Sequence, residues 1–134
     1  MAYTTTATTS GGRDGRAVLE DGKLALAMAL PRDMGGSGQG HNPEQLFALG
    51  WSSCFGQAIL ALARKHDLDG QKAKVTVEIG IDKDEVSFAL TARIIVALPG
   101  ADADKLRALA DDAHSICPYS RATRGNIAAT VEIA

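Results

Sequence analysis

Over Tyr3–Ser10 polar and apolar positions alternate weakly, and the threonines that fill the stretch favour extended backbone. GGRDGR (11–16) follows: Gly11 and Gly12 admit unusual backbone angles, and Asp14-Gly15 is a hairpin signal. RAVLE (16–20) and KLALAMAL (23–30) then read as two strands joined at Asp21-Gly22, so a small meander is expected near the start. The pattern lapses over Pro31–Pro43, where Gly35, Gly36, Gly38 and Gly40 mark a loop. Their spacing is neither that of a phosphate loop nor that of a dinucleotide fingerprint, which leaves nucleotide binding little support.

At Asn42 the period changes. Asn42 suits an N-cap, Pro43 the first helical position, and Gln45 the reciprocal place in a capping box. From there to about His66 the chain is apolar or small, with Leu46, Phe47, Leu49, Trp51, Phe55, Ile59, Leu60 and Leu62, and charge returns only in ARKHD. A helix apolar on several faces belongs in the middle of a domain or at a subunit interface. KAKVTVEIGI (72–81) and EVSFALTARIIVAL (85–98) carry β-branched alternation and predict two longer strands joined at Asp82–Asp84. DADKLRALADDAHSI (102–116) repeats apolar residues at helical spacing through Leu106, Leu109, Ala110 and Ala113. Pro118 breaks or restarts that helix, and NIAATVEIA (126–134) is a last strand. Strands, helix, strands, helix, strand is the order of an α+β chain, expected here as one domain over 1–134.

Composition narrows the classes. The chain has 134 residues and a formal net charge of −2 with no basic block, so no nucleic-acid partner is expected. No stretch is expected to reach the roughly 20 apolar residues that span a bilayer, and the start lacks a secretory pattern, so no membrane partner and a cytoplasmic location are expected.

The chain has two cysteines, Cys54 in the apolar helix and Cys117 just before Pro118. A reducing compartment disfavours a permanent staple, so they are either two inert core thiols or a transient redox pair. Cys54 lies too deep in its helix for the N-terminal dipole to act on it, and burial raises a thiol's pKa. A reactive Cys54 therefore needs a cation from elsewhere: Arg13, Arg121 and Arg124 are candidates, and spacing selects none of them. Glu44 suits the helix dipole; it stands roughly 15 Å from Cys54 along a straight helix, a gap that an arginine paired to Glu44 would bridge. Cys117, in a segment expected to turn, has the freedom a resolving thiol needs.

GGRDGR, NPEQLFALGWSSCF and ICPYSRATRGNI together resemble the motifs of the organic hydroperoxide resistance proteins, thiol peroxidases of the OsmC-like superfamily. The resemblance spans almost the whole chain, in order. It implies an OsmC-like fold with antiparallel sheets around a central apolar helix, in an intertwined homodimer. By position it makes Cys54 the peroxidatic cysteine, Cys117 the resolving cysteine, Arg13 the arginine that holds the thiolate, and Glu44 the carboxylate that fixes this arginine. It further implies reduction of organic hydroperoxides with no bound cofactor, and an external dihydrolipoamide reductant carried on a lipoylated protein. Departures are His41, where a small polar residue is more usual, Trp51 for a common tyrosine, Leu49 for a common alanine, and a short span between the second and third blocks.

Phe47, Trp51, Phe55 and Met34 are candidates for an apolar bed under an alkyl tail, and ordinary core packing is an equal account of the three aromatics. Three rival readings are weaker. A metal site from His114, Cys117 and Cys54 lacks the usual paired spacing. A Cys–His hydrolase using His66 or His114 lacks a local signature. A non-catalytic dimer of the same fold that binds an apolar ligand would use the same residues without turnover.

Overall fold

The computed structural model describes residues 2–134. The chain divides into two compact units, Met1–Leu46 and Phe47–Ala134.

The first unit is the expected meander. Strands β1 (Ala7–Ser10), β2 (Arg16–Leu19) and β3 (Ala25–Ala27) pair antiparallel in sequence order, with Ser10 opposite Arg16 and Val18 opposite Ala25. The turn between β1 and β2 takes the whole of 11–15, Asp14 and Gly15 included, closed by Asp14 N to Gly11 O and Gly15 N to Gly12 O. Gly11 and Gly12 take positive φ (77° and 57°) and lead into one tight helical turn over Gly12–Asp14. Gly15 serves another need: a Cβ there would run into the Ser10 carbonyl, so only glycine lets the chain re-enter β2.

Helix α1 (Pro43–Leu62) starts as the sequence predicts. Asn42 Oδ1 accepts from the Gln45 N–H at 2.9 Å, and Gln45 Oε1 accepts from the Asn42 N–H at 3.1 Å, a complete capping box. One expectation is corrected here. By length and composition alone, the helical stretch Pro43–His66 is long and apolar enough to cross a membrane. Alanine, glycine, serine and glutamine interrupt its large apolar residues without adding charge, so a count of bulky side chains misses it. Four of those side chains, Trp51, Phe55, Ala58 and Ile59, are buried in the core of the second unit.

That core lies between α1, a three-stranded sheet and helix α2 (Ala103–Ile116). Strands β4 (Lys74–Lys83) and β5 (Phe88–Ala97) form an antiparallel hairpin. Its turn falls later than expected, at Asp84–Ser87, because Asp84 Oδ1 accepts from the N–H groups of Val86 and Ser87, both at 2.8 Å. Ala92, Ile94 and Val96 alternate inward along β5, while Arg93 faces out between Glu78 and Glu132. β6 (Ala128–Ile133) joins the sheet parallel to β5, so this sheet is mixed rather than wholly antiparallel. The reason is connectivity: β5 returns to β6 through α2 and the short helix α3 (Pro118–Thr123), a crossover that delivers a parallel neighbour. α2 is capped by Asp102, whose Oδ1 accepts from the Lys105 N–H at 3.0 Å, and it buries the four predicted positions Leu106, Leu109, Ala110 and Ala113. Fully burying residues such as Trp51 and Phe55 stabilises by roughly 1.5–3 kcal/mol each.

Candidate active site

Arg13 and Glu44 come together within the first unit because backbone ties lead from one to the other. Asp14, beside Arg13, accepts from the Leu30 N–H at 3.2 Å, and Gly15 O accepts from the Met28 N–H at 2.9 Å. The same segment then holds the end of the glycine loop: Ala29 N donates to His41 O at 3.0 Å, and His41 N to Ala27 O at 2.9 Å. Gly40 permits this approach, since a Cβ there would stand 2.6 Å from Ala27 O. One residue past His41 the capping box fixes the first turn of α1, and with it Glu44.

The Arg13 guanidinium meets the Glu44 carboxylate as a two-pronged fork, Nη1 to Oε2 at 2.9 Å and Nη2 to Oε1 at 2.8 Å. The Glu44 side chain is 13% exposed and that of Arg13 39%. The Arg13 hydrogen bonds hold the Glu44 carboxyl below its usual range against the opposing effect of burial, and Glu44 in turn raises the Arg13 guanidinium. The fork uses one N–H on each terminal nitrogen and leaves the guanidinium's other donors for a further anion.

In the second unit both cysteines are free thiols. Cys54 is half-buried on α1; Cys117 is fully buried at the joint between α2 and α3. Cys54 packs against the buried cluster that contains Cys117, and both the Cys117 side chain and the Tyr119 N–H act on its thiol. Burial pushes the Cys54 thiol up from its usual value; the Tyr119 N–H pulls it down, and Cys117 pushes it up again. Cys117 is less free than its place before a proline suggests. Its N–H donates to Ala113 O and its carbonyl accepts from the Arg121 N–H, both at 2.9 Å, so it closes one helix and opens the next.

Of the other candidates, Phe47 stacks on Trp51 with ring centroids 5.5 Å apart, and its ring lies 6.1 Å from that of Tyr119. Trp51 and Phe55 are 0% exposed, core residues before anything else. Met34 ends a short helical turn, Arg32–Met34, in the first unit. Arg124 is engaged with backbone, its Nη2 donating to His114 O at 2.6 Å. His66 faces Asp112 at 3.0 Å, and His114 faces the Ser120 hydroxyl at 2.9 Å. Among the described residues no group of three or more His, Cys, Asp and Glu side chains comes together to hold a metal. Sequence reasoning missed Tyr119 and Ser120. Both sit inside the ICPYS block, and Gly50 was the available signal: a Cβ there would stand 2.8 Å from the Tyr119 hydroxyl.

The family model of OsmC-like proteins matches residues 36–132. An organic hydroperoxide resistance protein of Xanthomonas axonopodis pv. citri (strain 306) is 44% identical over 137 residues, which cover 100% of this chain and 96% of the relative. The chain belongs to the organic hydroperoxide resistance proteins of the OsmC-like family. Solved members share its fold. The Legionella pneumophila organic hydroperoxide resistance protein superposes with a TM-score of 0.92 at 36% identity, covering 100% of this chain and 98% of the other. OhrB of Bacillus subtilis gives a TM-score of 0.86 at 33% identity, with 98% of each chain covered.

Proposed function

We propose that this OsmC-like protein is a thiol-dependent peroxidase that reduces organic, lipid-type hydroperoxides to alcohols. The observation that carries the reading is the pair of free thiols, Cys54 and Cys117, brought to one core cluster from two elements of one unit. The names of its relatives, organic hydroperoxide resistance proteins, support the substrate class.

The Cys54 thiolate attacks the outer peroxide oxygen; the O–O bond breaks, the alkoxide leaves and takes up a proton, and Cys54 becomes a sulfenic acid. The Cys117 sulfur then displaces hydroxide from Cys54, which leaves as water with the Cys117 proton, and a disulfide forms. A dihydrolipoyl dithiol, carried on a lipoylated protein, restores both thiols by exchange and is itself oxidised to the cyclic disulfide. Because burial works against the thiolate, the reading requires a cation, and Arg13 is assigned that role: Glu44 aims its guanidinium flat while the remaining donors meet the sulfur and the developing oxygen charge. For the alkyl tail, Phe47 is the first choice, Met34 the second, with Trp51 and Phe55 acting behind Phe47 through packing. A cytoplasmic homodimer completes the proposal, supported by apolar side chains left exposed on each unit, Leu24 on one and Leu49 and Leu60 on the other.

A second reading rests on an apolar hollow of about 180 Å³ in the meander, lined by Ala17, Leu19, Leu24, Leu26 and Leu46. A protein that only binds an apolar ligand there would keep binding after Cys54→Ser, whereas peroxidase turnover would be lost. The deciding assay supplies dihydrolipoamide with either a fatty-acid hydroperoxide or hydrogen peroxide. The expected result is strong preference for the organic substrate. Equal rates overturn the apolar-contact argument, and no turnover with either overturns the peroxidase.

A further inference from the structure

A chain of three side chains, Trp51 and Ser120 fully buried and His114 half-buried, links the helices that carry the two thiols. The Trp51 indole Nε1 on α1 reaches the Ser120 hydroxyl on α3 at 3.2 Å, and the same hydroxyl reaches His114 Nδ1, in the last turn of α2, at 2.9 Å. Trp51 and Ser120 are both 0% exposed. The direction of the first bond follows from chemistry. An indole N–H only donates, so the Ser120 oxygen accepts from it; with His114 neutral and its proton on Nε2 the hydroxyl donates to Nδ1, whereas the other tautomer would have Nδ1–H donate to the same oxygen. Arg124 closes the arrangement from the far end of α3 through its bond to the His114 carbonyl.

Cys117 sits between the second and third members of this chain in sequence, at the joint of α2 and α3, while Cys54 lies on α1 three residues from Trp51. The Ser120 hydroxyl is therefore the point at which α1, α2 and α3 are held in one register. We propose that Ser120, bonded between Trp51 and His114, is a positioning residue that holds the Cys117 sulfur in place for closure onto Cys54. This rests on the redox reading above and adds a division of labour: the chain governs formation of the disulfide and leaves the attack on peroxide alone. The step it serves balances as written there, with the S–O bond of the Cys54 sulfenic acid breaking as the S–S bond forms and water leaving. Without the chain, α3 gains freedom, the sulfurs spend less time in contact, and both the rate of closure and the stability of the disulfide fall.

The test equilibrates the full-length protein in glutathione buffers of graded redox potential and quantifies the Cys54–Cys117 disulfide by mass after alkylation. Ser120→Ala and Trp51→Phe, which removes the N–H together with the five-membered half of the indole, are each expected to shift the equilibrium about tenfold toward the thiols. His114→Asn, whose amide oxygen can take the place of Nδ1, is expected within about twofold of wild type, and His114→Ala with the shifted variants. Ser120→Ala and Trp51→Phe proteins that fold and show no shift overturn the positioning role, as does His114→Ala matching His114→Asn. A second arm adds one equivalent of cumene hydroperoxide with dimedone present: Ser120→Ala should consume peroxide at the wild-type rate while the dimedone adduct on Cys54 accumulates. Wild-type protein that consumes no peroxide overturns the peroxidase reading, and the glutathione arm, which needs no peroxide, still decides the positioning one.

Discussion

Arg13 and Glu44, 31 residues apart, meet through two parallel hydrogen bonds of 2.9 and 2.8 Å. A carboxylate in the first turn of a helix has an ordinary use in compensating the dipole, worth about 0.3–1 kcal/mol, and that use needs no arginine. A half-exposed ion pair adds little stability, typically about 0–1 kcal/mol. What the fork does supply is direction: it removes the rotational freedom of a guanidinium on a long stem. Its upkeep is elaborate, since glycine at 15 and 40 and the ties of Asp14, Met28 and Ala29 all serve to bring the two residues together.

Arg13→Lys should therefore harm activity more than stability. A point charge cannot reproduce the fork, so kcat/KM for an organic hydroperoxide is expected to fall by about 100-fold, the scale of losing one aimed donor. The thermal midpoint should move little. Alkylation rate of Cys54 against pH is the second measurement, and its inflection should rise in the variant. An unchanged inflection would remove Arg13 from the role of thiolate partner.

The Glu44 carboxyl also predicts an acid limit. Its folded value lies below the usual 4.5 because Arg13 bonds the charged form. Such a group contributes stability that is fully present above the unfolded value and is lost as pH falls through the folded one. Urea denaturation at a series of pH values should show the wild type losing that contribution below 4.5, with Glu44→Gln lacking it. Parallel curves would mean that the pair is not formed in solution.

How much of this was legible in the sequence differs from residue to residue for physical reasons. The capping box at Asn42 and Gln45 and the buried stripe of α2 were readable because both are local patterns. Arg13 could not be chosen from Arg121 and Arg124 by spacing; only the family motif singled it out, and its partnership with Glu44 depends on a fold-back of the glycine loop that no local rule encodes. The parallel pairing of β6 is likewise a matter of the crossover that precedes it. Ser120 and Tyr119 were hidden because their partners, Trp51 and the backbone at Gly50, lie about seventy residues away in an otherwise ordinary apolar helix.

Two glycines of that helix should answer alanine in opposite ways. At Gly56 a new Cβ meets nothing within 4 Å, so Gly56→Ala should stabilise by up to about 1 kcal/mol through helix propensity alone. At Gly50 the same methyl would lie 2.8–3.2 Å from the hydroxyl and ring atoms of Tyr119. The ring must then move. The propensity gain is expected to be cancelled or reversed, by about 1–2 kcal/mol, as in other overpacked sites. Chemical denaturation of the two variants gives the comparison, and equal stabilisation would mean that the Tyr119 contact is soft.

His114 makes the last prediction. Burial, and then the nearby Arg124, lower its value from the usual 6.5, with Asp111 opposing them. As pH drops, the unfolded chain takes up the proton first, so the folded state is penalised. The contribution of a neutral His114 is complete above 6.5 and is lost as pH falls through the folded value. Protonation would also place an N–H on Nδ1, so that the Ser120 oxygen could only accept there. Wild-type protein should thus lose stability between neutrality and the carboxylate range, and His114→Asn should lose less over the same interval. Urea midpoints taken at two pH values on either side of 6.5 separate the outcomes. An identical drop in both proteins would show that His114 is not held neutral.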